Sequence, residues 1–398
     1  MRILFVHDRF GAMAGAEVNL LVTARELKNR GHSLAILHGP STGRAEAEWI
    51  RVFEKCYSLS SGNSSVAEVI RDFEPDAVYV HKMADLSVLR DLADSAVPVA
   101  RMVHDHDLYC LRSYKYSPFS RRICTRAAGW HCVFPCGAVL ARDRSGGLPF
   151  KWMSFTAKRK ELRINRKFNR MIVATDYMKQ ELLRNGFAPE RVEIHAPVPP
   201  AADDAPPSNF SDRNLLIFAG QVIRGKGVDV LLEALVQVSS KFECVILGEG
   251  HHRAHCEQLS QRLGLGSCVR FLGYVPPAAM AEFYGEATLA VVSSVWPEPF
   301  GAVGLEAMRF GVPVVAFDAG GIREWLSDGE NGFLVPWMDR RTFAQRVDQL
   351  LADKALARRL GQNGRRIVRE RFAFEDYIDG LEQMFARMVQ REQTAVAS

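Results

Sequence analysis

The sequence predicts an α/β protein built as two doubly wound domains. Three observations carry that prediction. Short apolar runs alternate with amphipathic stretches through most of the chain, the pattern of a parallel sheet covered by helices. The alternation stops once, at a proline-rich stretch, and then restarts. The chain has 398 residues, a length suited to about two to three domains.

Ile3–Val6 is a four-residue apolar run followed at once by polar residues. It is too short for a signal peptide's core and reads as a buried first strand, so the chain is expected in reducing cytosol. Glu17–Arg30 follows as a helix, with Leu20, Leu21, Ala24 and Leu27 on one stripe. Leu34–Leu37, Ala77–Val80, Val97–Val103 and Met171–Ala174 read as further buried strands. Five prolines between Pro197 and Pro207 exclude helix or central strand and mark a linker. Beyond it, Leu215–Ala219, Cys244–Leu247, Val269–Leu272, Leu289–Val292 and Val314–Ala316 repeat the alternation. Glu375–Arg391 is an amphipathic helix carrying Tyr377, Leu381, Met384, Phe385 and Met388. The predicted division is a first domain at 1–196 with a cysteine-rich insertion at about 105–150, a linker at 197–213 and a second domain at 214–374. A closing helix at 375–398 is expected to pack back on the first domain. Two such domains put a cleft between them, and ligands in such folds bind at the carboxyl ends of the strands.

Composition excludes several classes. Apolar residues make up 47% and charged residues 24%, which rules out a mostly disordered chain. Lys plus Arg is 51 against 46 acids, a net charge of +5 and too small a surplus to imply nucleic acid. Eight cysteines are too sparse for a disulfide-built scaffold. No apolar stretch reaches the length of a membrane-spanning helix.

The most informative stretch is Pro297-Glu298-Pro299-Phe300-Gly301-Ala302-Val303-Gly304-Leu305-Glu306-Ala307-Met308. Glu298 falls in the loop after the strand Leu289–Val292, and Glu306 more than a turn into a helix expected from about Ala302 to Phe310. Amides at that helix start form an anion site between two carboxylates. A ligand with hydroxyls at both ends and phosphate in the middle fits: a nucleotide-sugar.

This segment resembles the signature of family 4 of the retaining glycosyltransferases, glycosyl transferases group 1, which have the GT-B fold: two Rossmann-like doubly wound domains facing each other across a cleft. The resemblance continues in family order through Ala14-Gly15-Ala16-Glu17, Asn29-Arg30-Gly31-His32, Pro75–His81 and Val103-His104-Asp105. After the linker it takes in Gly220, Lys226-Gly227, Gly248-Glu249-Gly250, Phe271-Leu272-Gly273 and Gly320-Gly321-Ile322-Arg323-Glu324. It implies that Glu298 faces the donor-sugar hydroxyls and Glu306 holds the ribose. Lys226 and the amides around Phe300, Gly301, Ala302 and Val303 would hold the diphosphate. Gly15 would let a first-domain loop close over the donor, and His104 would sit at the reacting sugar. A fixed cation and a helix N-terminus stabilise the charge that develops on the leaving diphosphate, so no cofactor is expected for the chemistry. The sequence departs from the family pattern at Gln221, where the family has Arg; Arg224 is offered as the replacement. It departs again at Trp337-Met338-Asp339, where Gly-Asp is common.

The expected activity is therefore retaining transfer of a hexose-type sugar from a nucleoside diphosphate to a hydroxyl acceptor, lipid-linked or a polysaccharide precursor. The acceptor would be held by the first domain and its insertion. A GT-B sugar-nucleotide epimerase and a non-catalytic sugar-nucleotide sensor are the alternatives. The presence of Glu298, Glu306, Lys226 and His104 argues against the sensor.

Two features stand outside that reading. Cys110, Cys124, Cys132 and Cys136 are spaced C-x13-C-x7-C-x3-C, with His131 adjacent; they are a structural zinc site, a set of packed free thiols or an oxidised pair. Lys151–Arg170 holds eight basic residues and one acid, interleaved with Trp152, Phe155, Leu162, Ile164 and Phe168. It is a basic amphipathic helix lying on an anionic membrane, peripheral on the cytoplasmic face, or a solvated helix packed on the sheet.

Overall fold

The computed structural model describes residues 1–11, 15–60, 65–142, 150–200 and 206–397. They form two compact units: Met1–Lys115, Thr125–Pro200 and Phe374–Ser398 make the first, and Tyr116–Cys124 with Ala201–Ala373 the second. The predicted assignment of the whole insertion to the first domain is thus corrected, since its Tyr116–Cys124 stretch belongs to the second unit. Parts of the predicted insertion and linker, 143–149 and 201–205, lie outside the described residues.

The strands of the first unit are β1 (Arg2–His7), β2 (Ser33–His38), β3 (Lys55–Ser58), β4 (Ala77–Val80), β5 (Val99–Met102), β6 (Leu140–Arg142), β7 (Phe150–Trp152), β8 (Arg170–Val173) and β9 (Val192–Ile194). Seven form a parallel sheet in the order β3-β2-β1-β4-β5-β8-β9, and β6 and β7 pair as a separate antiparallel ribbon. Both faces of β1 are covered. Leu4 and Val6 join one apolar cluster and Ile3 and Phe5 the other, which is why the strand reads as a continuous apolar run. The second cluster is closed by Tyr377, Leu381, Met384, Phe385 and Met388 of the helix Phe374–Ala397.

The second unit contains β10 (Leu215–Ala219), β11 (Glu243–Leu247), β12 (Val269–Gly273), β13 (Leu289–Val292), β14 (Val314–Phe317) and β15 (Gly332–Val335). Their order is β12-β11-β10-β13-β14-β15, all parallel. In both sheets the order reverses once, beside β1 and β4 in the first and beside β10 and β13 in the second. Loops leaving the carboxyl ends of strands at such a reversal splay apart and leave a crevice. That rule selects His7, His81 and the loop after β5 in one unit, and the loops after β10 and β13 in the other.

The stretch Lys151–Arg170 is not one helix. Lys151 and Trp152 end β7, the helix runs only Phe155–Asn165, and Arg170 opens β8. Its apolar residues Phe155, Leu162 and Phe168 are buried. Lys158 is tied to the Asp107 carbonyl and Glu161, Lys167 to Asp94 and Arg170 to Glu193.

Candidate functional site

In the second unit two loops meet at the sheet's reversal point. The Arg224–Lys226 turn ends at Gly227, whose φ is 67°. A Cβ there would lie 2.1 Å from the Ser293 carbonyl oxygen, so only glycine lets the turn lie against the loop after β13. The amides of Val295 and Trp296 donate to the Gly225 carbonyl at 2.9 and 3.1 Å, and the Ser293 hydroxyl donates to the Lys226 carbonyl at 3.0 Å. Backbone contacts thus fix the two loops in register before any side chain is considered.

On that frame Lys226 Nζ donates to Glu298 Oε1 at 2.6 Å, and the Ser294 hydroxyl donates to the same oxygen. The ammonium lies 5.2 Å from the centre of the Trp296 ring. Glu298 is 3% exposed. Burial alone would raise its carboxyl, but the Lys226 charge and the hydrogen bonds from Lys226, Ser294 and Trp296 outweigh it and hold Glu298 below the usual carboxylate range. The site therefore presents an ionised carboxylate and a cation already paired with each other.

The Glu298 backbone is clamped as well. Its amide donates to the Ala319 carbonyl at 3.1 Å, and the Gly321 amide donates to its carbonyl at 2.7 Å. Gly320, at φ 68°, has no room for a Cβ, which would lie 2.5 Å from the Glu298 carbonyl oxygen. The Gly320-Gly321 pair is thus the seat of the Glu298 loop. Buried Trp325 donates from Nε1 to the Phe300 carbonyl at 2.7 Å and steadies the Phe300–Ala302 stretch before the helix Val303–Arg309, with Gly301 at φ 81° as its turn residue. Phe300 is itself buried. Glu306 is half-buried on that helix, and its side chain forms no hydrogen bond or ion pair with the described residues. Burial pushes its carboxyl up, opposed only by Arg309, so it lacks the compensation that Glu298 enjoys.

The Arg224 guanidinium donates to the Pro118 carbonyl. Pro118 belongs to the Tyr116–Cys124 segment, whose Arg121 forms a two-pronged bond with Asp229 on the helix Val228–Leu235, Nη1 to Oδ1 at 3.1 Å. Both residues are buried. The two partners are 108 residues apart, and no local pattern announces the pair.

In the first unit, His7 ends β1, and His81 and His104 follow the ends of β4 and β5. His81 Nδ1 lies 2.9 Å from His104 Nε2. The two rings are stacked, with centroids 5.1 Å apart. Burial lowers the His104 imidazole to about 3 and His81 well below its ordinary value, so both are neutral. His81 Nε2 is buried with no hydrogen-bond partner among the described residues. A proton there would be an unmatched buried donor, so the favoured tautomer has His81 Nδ1–H donating to His104 Nε2. His104 then carries its own proton on Nδ1. His81 is thus the partner that orients His104. Gly15 opens the helix Gly15–Asn29 and has open space where a Cβ would stand; Ala14 beside it lies outside the described residues.

The four insertion cysteines do not fit a zinc centre. Among the described residues the group of His, Cys, Asp and Glu atoms near enough to hold a metal is Asp229, His252 and His255, and none of the four cysteines is in it. Cys132 is buried with Leu111, Ala138, Val139 and Phe155, with Cys136 at the margin of that cluster. Cys110 packs against the main core of the first unit, and Cys124 belongs to the second unit. No disulfide joins any of the eight cysteines. The packed-thiol alternative describes this arrangement. The Asp229 group is not read as a metal centre either, because the Arg121 guanidinium occupies both carboxylate oxygens and would repel a cation.

Two doubly wound units, with paired loops at each reversal point, define the GT-B class. Comparison with known proteins agrees: the model described as Glycosyltransferase Family 4 matches residues 13–197, and that described as Glycosyl transferases group 1 matches residues 201–367. The chain belongs to the group 1 glycosyltransferases. It is similar to an uncharacterised glycosyltransferase of Methanocaldococcus jannaschii, 32% identical over 167 residues, 42% of this chain and 43% of the relative. It is also similar to the lipopolysaccharide core biosynthesis glycosyltransferase LpsE of Rhizobium meliloti, 31% identical over 186 residues, 47% of this chain and 54% of the relative. The chain thus spans about half the length of these curated relatives. Among solved structures it resembles HepE of Anabaena in complex with UDP, with a TM-score of 0.73 and 21% identity over 97% of this chain and 100% of that one; this likeness concerns the fold.

Proposed function

We propose that this chain is a retaining glycosyltransferase that moves a hexose-type sugar from a nucleoside diphosphate to a hydroxyl of a polysaccharide or glycan precursor. The observation that carries the reading is the Lys226–Glu298 pair fixed between the loops after β10 and β13. Lys226 offers its charge to the diphosphate as the glycosidic bond breaks, when negative charge grows on the leaving oxygen. Glu298, held ionised, accepts hydrogen bonds from donor-sugar hydroxyls. Glu306, whose side chain has no hydrogen-bond partner among the described residues, takes the ribose hydroxyls. His104 acts as a neutral hydrogen-bond donor through Nδ1 toward a sugar hydroxyl, not as an acid, because its imidazole stays unprotonated at neutral pH. Retention of configuration rests on the family.

HepE was solved with UDP and with UDP-glucose, so UDP is the first probe. Glu306→Ala is expected to weaken UDP binding about 10- to 100-fold, the value of a hydrogen bond to a charged group, while turnover at saturating donor changes little. Calorimetry and a donor-saturation curve check this, and unchanged UDP affinity would remove Glu306 from the site. Incubation with several nucleotide-sugars separates the rivals. A transferase hydrolyses its donor slowly, an epimerase yields a new isomer, and a sensor turns over nothing.

A lipid-linked acceptor on the cytoplasmic membrane face is part of the proposal. Among the described residues no helix is long and apolar enough to cross a membrane. The first unit does expose Trp130, Phe134 and Trp152, at 73%, 85% and 71%, around a small apolar cluster. Exposed Arg159, Lys160 and Arg163 lie on the helix that supplies Phe155 to that cluster. Aromatic rings beside cations suit an anionic interface. The protein is expected to sediment with anionic liposomes and to be released as salt rises. Sedimentation unaltered by Trp130→Ala/Trp152→Ala would move the contact elsewhere.

A further inference from the structure

The chain leaves the first unit after Lys115 and rejoins it at Thr125, and the stretch between, Tyr116–Cys124, belongs to the second unit. That stretch is a small hairpin. Tyr116 and Ile123 form an antiparallel bridge, the Ser117 amide donates to the Arg122 carbonyl at 2.9 Å, and the Arg121 amide donates to the Ser117 carbonyl at 3.0 Å. Arg121 sits at φ 59°, a left-handed conformation that a side-chain-bearing residue keeps only where its surroundings hold it there.

Three contacts tie the hairpin to the turn that carries Lys226. Arg121 grips Asp229 with both prongs of its guanidinium, and Asp229 lies in the first turn of the helix that begins where the Arg224–Lys226 turn ends. A planar fork on a carboxylate fixes direction as well as distance, and both partners are buried. The Arg224 guanidinium donates to the Pro118 carbonyl. Between these two lies Gly225, where a Cβ would stand 3.4 Å from the Trp296 side chain and 3.6 Å from the ring of buried Tyr116. The turn is therefore held twice, by the loop after β13 through the Gly225 carbonyl and by the hairpin through Arg121, Pro118 and Tyr116.

This second hold matters because Lys226 is a point charge on a flexible stem. Its ammonium stabilises a leaving group only if the turn beneath it is fixed before the charge develops. A three-residue turn supplies little rigidity of its own.

We propose that the Tyr116–Cys124 hairpin is part of the donor site, with Arg121 as a positioning residue that acts through Asp229 to hold the Arg224–Lys226 turn and keep Lys226 aimed. A piece of the insertion expected to hold the acceptor thus serves the donor. The proposal rests on the donor-site reading of Lys226.

Its test is calorimetric titration of the full chain with UDP. Arg121→Gln is expected to weaken UDP binding about 10-fold, the value of one hydrogen bond to a charged group. In a Lys226→Ala background the same substitution should change affinity by less than about twofold, because residues that act through one contact are not additive. Arg121→Gln/Asp229→Asn removes both buried charges and so spares the fold while freeing the hairpin; it should bind UDP as weakly as Arg121→Gln. Arg121→Lys, which keeps the charge without the fork, should recover only part of the loss. Parental UDP affinity in Arg121→Gln or in the double variant would overturn the proposal. So would an equal loss in both backgrounds, which would show that Arg121 acts independently of Lys226. The donor reading fails separately: Lys226→Ala that binds UDP like the parent removes it, whereas a weakened Lys226→Ala beside an unaffected Arg121→Gln strikes the hairpin alone.

Discussion

Lys226→Ala is expected to reduce transfer by about 10²–10³-fold, the cost of losing one preorganised charge at a leaving group. It should also lower stability by about 3 kcal/mol, because removing one partner of a buried pair leaves the other charge uncompensated. Glu298 is almost wholly buried, and Lys226 supplies both its main counter-charge and one of its hydrogen bonds. The two losses have different origins and can be separated. Lys226→Met/Glu298→Gln removes both charges, so the stability should largely return, while transfer should remain at the level of the single variant or below. Urea unfolding and donor turnover on the four proteins check both parts. If the double variant stays as unstable as Lys226→Ala, the penalty does not come from an unpaired Glu298. If Lys226→Ala transfers sugar at the parental rate, Lys226 has no part in departure of the diphosphate.

Much of this site was legible as residue types and little of it as geometry. Glu298 and Lys226 each stand out in the sequence, but that they neutralise each other follows only from β10 lying beside β13, a non-local pairing. Gly320 was readable as part of a family motif. Its work, admitting the Glu298 backbone, needs the two loops in place. The strands buried on both faces announced themselves as apolar runs. β3 and β9 did not, because they are edge strands, short and in part polar, with fewer neighbours to impose a pattern; β15 is short, with three apolar residues behind a glycine. The cysteine spacing suggested a metal, yet spacing says nothing about which core each thiol enters, and here Cys132 and Cys136 join one cluster while Cys110 packs against another. Likewise the apolar residues within Lys151–Arg170 suggest one amphipathic helix, but a strand end, a shorter helix and the bend before β8 share them.

Acid should weaken the first unit through its histidine stack. His81 and His104 have folded-state values lowered by burial, His104 to about 3. An unfolded chain returns them to about 6.5. Between these limits the unfolded state binds more protons, so stability rises with pH through this window and is complete above about 6.5. Lowering the pH from 7 to 5 should therefore cost up to about 1.4 kcal/mol per pH unit below 6.5 for each such histidine. Asp105 opposes the shift of His104, while Lys82, His7 and Arg101 reinforce it; none of them reverses its direction. His104→Gln removes one titrating ring, so the acid limb of a urea-midpoint profile should become shallower even if the variant starts less stable at pH 7. Nitrogen-15 spectra of the parent at neutral pH should show His104 protonated at Nδ1 and His81 at Nδ1, with His104 not titrating near 6.5. Equal loss of stability in parent and variant between pH 7 and 5, or a His104 that titrates near 6.5, would mean that the stack is not a buried neutral pair and that His104 meets its substrate as an ordinary exposed imidazole.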